Sequence, residues 1–136
     1  MSWPVYQLVA QGDVDALRAE LTADGYALRN LDGAGLGDAA GLWARAGEAF
    51  GFSDVAGWDS FSDRMWNAVM PNDDEGDKVA LVWEHADALV QASLGTFLEA
   101  FDVLVTMVRS AYEQETDVTV CFLGDGPGFA RLADLA

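Results

Sequence analysis

Apolar residues recur at helical spacing in four stretches of the chain and at strand spacing in three. Asp13 is suited to cap a helix, Val14, Leu17 and Leu21 follow it on one stripe, and Asp24 and Gly25 end it, which predicts a helix over 13–24. Asp38 opens a second helix through Leu42, Trp43, Ala46 and Phe50 that stops at Gly51. A third spans 57–69 and must end before Pro71, and a fourth runs over about 93–114 with Phe97, Phe101, Leu104, Val108 and Ala111 on its buried stripe. Between them "YALRNL" (26–31) alternates, "KVALVW" (78–83) is nearly continuous, as in a strand covered on both faces, and "DVTVCFL" (117–123) is a third strand. Strands separated by helices pair in parallel through right-handed crossovers. The pattern therefore predicts an α/β fold: a small three-stranded parallel sheet packed with helices, plus an N-terminal helix.

The 136 residues, 51% of them hydrophobic, suit one domain with a sizeable core. Twenty-three Asp and Glu against seven Lys and Arg give a net charge of −16. That charge repels phosphate backbones and anionic lipid, so direct contact with nucleic acid or membrane is not expected. It favours a basic protein partner, or serves solubility alone. The opening "MSWPVYQLVAQGDVD" has no basic stretch followed by an apolar one, and no window is apolar enough for a membrane span, so a cytoplasmic protein is expected. One cysteine forbids an intramolecular disulfide, and Cys121 inside "VTVCFL" reads as a buried strand residue.

The stretch with most to explain is "GWDSFSDRMWNAV", residues 57–69. At about 100° per residue, Trp58, Phe61, Met65 and Val69 fall on one side of the helix and Asp59, Ser62, Asp63 and Trp66 on the other. The first side reads as core. Like charges at i and i+4 repel by roughly 0.2–0.5 kcal/mol, so stability gives no reason for the Asp59–Asp63 pair. The second side looks built to receive something positive.

Other constellations carry less. Asp59 and Asp63 as a general acid and base would need one pKa pushed away from the other, and both face outward, so no enzyme is expected. "NDDEGD" (72–77) lacks the spacing of a calcium loop and runs straight into a strand, so it reads as a solvated turn. "GDGPG" (124–128) shares only its glycines with a phosphate loop. His85, the only histidine, has no partner at ligand or triad spacing and reads as a partly exposed loop residue. Trp3, Trp43 and Trp83 read as packing residues. No metal and no cofactor are expected.

The order of parts, with "GFSDVAGWDSFSDRM" (51–65) as the strongest segment and "VALVWEHADAL" and "DVTVCFLGDGPG" in support, resembles the barstar family, intracellular inhibitors of barnase-type bacterial ribonucleases. The resemblance covers about 25–123 within a single domain of 1–136. It leaves 1–24 as an N-terminal helical extension and 124–136 as a C-terminal tail. It implies that the loop before the 57–69 helix and the helix itself plug a basic ribonuclease, with carboxylates in place of RNA phosphates. By position it implies a partner-binding set of Asp54, Gly57, Asp59, Ser62, Asp63 and Trp66, with Asp63 as the central anchor and Asp59 one turn earlier. The chain departs from the family pattern at several points. Its loop is two residues shorter, Val55 and Ala56 replace an aromatic pair, Ser62 stands for a tryptophan, and the glutamate that the family presents from its last long helix falls near Ser110, with Glu113 one turn away. These changes favour an altered target, so an immunity or interaction module against another toxin or regulatory protein is the alternative. A monomer is expected in either case.

Overall fold

The structure is a computed structural model that describes residues 3–135. Its elements are β1 (Tyr6–Ala10), a 3-10 turn at Gln11–Asp13, α1 (Val14–Ala23), β2 (Ala27–Asp32), α2 (Ala39–Phe50), α3 (Trp58–Val69), β3 (Lys78–Glu84), α4 (Asp87–Ala92), α5 (Leu94–Glu113), β4 (Asp117–Gly124) and α6 (Pro127–Leu135). All strand pairs are parallel, as the alternation of strands and helices predicts. β3 and β4 occupy the middle of the sheet, in the order β1-β4-β3-β2. They carry the near-continuous apolar runs because helices cover both of their faces. On one face Leu81, Trp83, Val120 and Phe122 join Leu42 of α2, Phe61 of α3 and Phe97 of α5 in the main core. On the other, Ala80, Val82, Cys121 and Leu123 meet Leu17 and Leu21 of α1 and the ring of Tyr26.

The sheet has four strands where the sequence pattern predicts three. β1 adds itself beside β4, in register from Tyr6 opposite Val120 to Ala10 opposite Gly124. Tyr6 and Leu8 lean on the main core and Val9 on the α1 side, so the segment does alternate. Five residues between Pro4 and Gly12, only partly covered, are too few for that alternation to stand out. The N-terminal segment thus supplies a strand as well as the expected helix. Likewise the tail beyond Leu123 continues into α6, which starts on Pro127 and buries Phe129 in the main core. The short α4, which hides Leu89 and Val90, is a further helix that the periodicity did not predict.

Polar side chains fasten the N-terminal elements to the ends of the other strands. Arg18 of α1 pairs with Glu84 at 2.5 Å, and the Gln11 amide donates to Glu84 at 3.1 Å while accepting the His85 backbone N–H at 2.8 Å. His85 itself sits just past β3 with φ 54°, its ring Nδ1 3.0 Å from Asp32 Oδ1. The Ala34 N–H and that imidazole hold the Asp32 carboxyl below its ordinary range. The acidic turn after α3 is pinned as well. Glu75 takes both guanidinium N–H groups of Arg29 at 2.6 and 3.0 Å and the Asn72 N–H at 2.8 Å, which brings its pKa down to about 2. Cys121 is buried, with the Gln7 amide 3.5 Å from Sγ, and burial pushes its thiol up to about 11, as suits an unreactive strand residue. No helix among the described residues is long and apolar enough to cross a membrane.

Candidate partner-binding surface

α3 has two unlike faces because its apolar residues keep the helical period while its carboxylates fall between them. Phe61, Met65 and Val69 are buried in the main core. Trp58 stands edge-on to Trp43 of α2 with ring centroids 5.4 Å apart, and to Phe61 at 5.8 Å. The indole N–H of Trp43 is buried without a hydrogen-bond partner among the described residues, which fixes that ring by packing alone. The apolar face of the helix is therefore committed to the core. Asp59 and Asp63 lie exposed on the opposite side, one turn apart.

The six expected contact residues do not share one environment. Asp54, Asp59 and Asp63 are exposed, while Gly57, Ser62 and Trp66 are partly buried. Trp66 packs against the main core as a flanking residue. The helical period explains this. Ser62 and Trp66 lie on the boundary between the Met65 stripe and the outward face, whereas Asp59 and Asp63 lie beyond it. The exposed residues of α3 are thus Asp59, Asp63, Arg64 and Asn67, so the two carboxylates share the outward side with one guanidinium and one amide. Asp59 also lies in the first turn, at the positive end of the helix dipole, where Gly57 offers no capping side chain.

The loop that leads into α3 is seated on α2. Gly51 ends α2 in the left-handed conformation at φ 84°, and the N–H groups of Gly51 and Phe52 both reach the Gly47 carbonyl, at 2.8 and 3.0 Å. Asp54 adopts φ 60°, a region that Asp tolerates better than most residues, with Ser53 Oγ donating to its carboxylate at 3.3 Å. The feature missed by pattern reading is Gly47. It sits inside α2, buried, and a Cβ there would collide with the Phe52 carbonyl oxygen. A glycine within a helical run, "AGEAFGF", was the available signal.

Gly47→Ala tests this seat. Helix propensity alone favours Ala by about 1 kcal/mol. The backbone carbonyl of Phe52 cannot swing aside as a side chain would, so overpacking of about 1–3 kcal/mol is expected to prevail and lower stability in urea denaturation. A Gly47→Ala protein as stable as the parent would mean that the loop does not rest on α2.

On α5, Ser110 is partly buried and Glu113, the last residue of the helix, is exposed. Among the described residues no group of three or more His, Cys, Asp or Glu side chains is arranged to hold a metal ion. The sequence profile of one family, Barstar (barnase inhibitor), matches residues 26–123. No curated protein and no solved structure matches the chain.

Proposed function

The chain belongs to the barstar family, and from that membership we propose that it inhibits a basic, barnase-type ribonuclease by covering the enzyme's active site with α3 and the loop before it. The observation that carries this reading is the pair of exposed carboxylates, Asp59 and Asp63, on a helix whose other face is locked by Phe61, Met65 and Val69. A carboxylate carried on a helix packed in this way is a good stand-in for a phosphate. It accepts two parallel N–H bonds from a guanidinium, and such charge-assisted bonds are strong once water is excluded. Inhibition here is occlusion, and it asks no chemistry of the inhibitor itself.

Val55, Ala56 and Ser62 stand where the family has aromatic residues, which supports a second reading: an immunity or interaction module on the same fold with a different toxin as its target. Both readings share the acidic surface, and an assay of ribonuclease inhibition separates them. Inhibition of a barnase-type enzyme at stoichiometric inhibitor supports the first; recovery of a different basic toxin in a pull-down, with no such inhibition, supports the second.

Salt tests the electrostatic part. With a net charge of −16, encounter with a basic partner is steered by fields that salt screens across about 10 Å at 0.1 M. The association rate constant is expected to fall steeply from low to physiological ionic strength, while the dissociation rate changes much less. Stopped-flow association measurements decide this. A rate flat across that range removes steering from the mechanism.

A further inference from the structure

Beside the entry loop of α3, the chain leaves an open groove of about 520 Å³ between α2 and residues 52–55. Its walls are apolar and aromatic, with Trp43 and Ala44 on the α2 side and Phe52 and Val55 on the loop side. Two carboxylates, Glu48 and Asp54, line it as well, both on exposed residues, and no basic residue does. Ala40 and Ala44, one turn apart and exposed, keep the α2 side low enough for the groove to stay open.

We propose that this groove receives an arginine side chain of the basic partner, its stem against Trp43, Phe52 and Val55 and its guanidinium against Glu48 and Asp54. The proposal rests on the inhibitory reading above and extends the partner's footprint from α3 onto α2. Three observations select this occupant. The lining joins aromatic rings to carboxylates, and a guanidinium is the cation that stacks on the first while hydrogen-bonding the second. A second copy of the chain would bring another −16 charge to a negatively charged groove, which repels it. Asp54 and Val55 belong to the segment that leads through Ala56 and Gly57 into α3, so the loop wall of the groove is continuous in the chain with the helix that carries Asp59 and Asp63. Lysine fits less well, because its ammonium is a strongly hydrated point charge that does not stack.

The test separates this groove from the inhibitory reading. ¹⁵N-labelled protein is titrated with acetyl-Gly-Arg-Gly-amide and with its lysine and citrulline counterparts. The arginine peptide is expected to shift the Trp43 indole and the Ala44, Phe52 and Val55 amides in a saturable way, the lysine peptide at least threefold more weakly, and citrulline not at all. Glu48→Gln combined with Asp54→Asn is expected to abolish the arginine response. Equal shifts from arginine and citrulline, or arginine shifts scattered over the acidic surface, overturn the proposal. In the second arm, Ala44→Leu fills the groove from an exposed helical position, its fold being checked by circular dichroism. It is expected to raise the inhibition constant against barnase at least tenfold. If Ala44→Leu inhibits as the parent does while Asp63→Ala does not, the groove lies outside the interface and the proposal falls, with the inhibitory reading intact. If the parent itself fails to inhibit barnase, the inhibitory reading is what fails, and the peptide titration decides the groove.

Discussion

Asp63→Ala is expected to weaken binding to the target nuclease by at least about 2 kcal/mol, roughly thirtyfold in Kd, and more than any other single truncation on α3. The side chain is exposed in the free protein, near the middle of a helix whose other face is buried in the core, and it follows Asp59 by one turn. In a complex it would lie dehydrated among the partner's cations. Truncation then strands a buried positive charge, and that penalty, more than the lost contact, sets the size of the effect. Asp63→Asn keeps shape and hydrogen-bonding capacity but removes the charge, so it is expected to weaken inhibition nearly as much. Folding stability should stay level or rise by a few tenths of a kcal/mol, because the Asp59 repulsion is relieved. Asp59→Ala should rank second. Trp66 is a poorer probe, since its ring also packs on the core and its removal mixes stability with binding. An inhibition assay at fixed ionic strength measures all of these, and an Asp63→Ala protein that inhibits like the parent would end the phosphate-mimic reading of α3.

Phe61→Ala is expected to do the opposite: a loss of about 3–5 kcal/mol in folding stability with little change in the affinity of the molecules that remain folded. Phe61 is 1% exposed and lies in the main core, within edge-on contact of Trp58. Removing it opens a cavity beneath the helix that a close-packed interior fills only in part. Such a loss is a large fraction of the stability of an ordinary domain, so binding is best measured at low temperature. Chemical denaturation gives the stability change and titration gives the affinity. A stable variant that had lost its binding would mean that the two faces of α3 are exchanged.

The two faces were legible because a twelve-residue helix completes more than three turns, long enough for a period of 3.6 to sort Phe61, Met65 and Val69 from Asp59 and Asp63. The same wheel did not place Ser62 and Trp66. Both fall on the boundary, where the outcome depends on how far neighbouring elements reach around the helix. The central strands were legible from "KVALVW" and "DVTVCFL", whose apolar runs admit few other uses. β1 was not, since an edge strand of five residues needs only one partner and a modest apolar face. The groove beside α2 left no trace in any pattern. One of its walls is set where Phe52 folds back on Gly47, an approach between residues that belong to different elements.

The pairing of β1 with β4 has a consequence in time. Gln7 and Cys121, in contact across that pair, are 114 residues apart. On a ribosome adding about 5–20 residues per second, β1 leaves the tunnel roughly 5–20 s before the strand it needs. Helices α2, α3 and α5 and the β2–β3 pair are closer in sequence and can associate during that interval, whereas the sheet's first-made strand must wait unpaired. Contacts of such long separation slow folding, because loop closure is entropically costly before any pairing offsets it. Pairing of β1 with β4 is thus set to come late in the assembly of this molecule. During that wait β1 presents "VYQLVA", an apolar strand sequence, to whatever else is nearby.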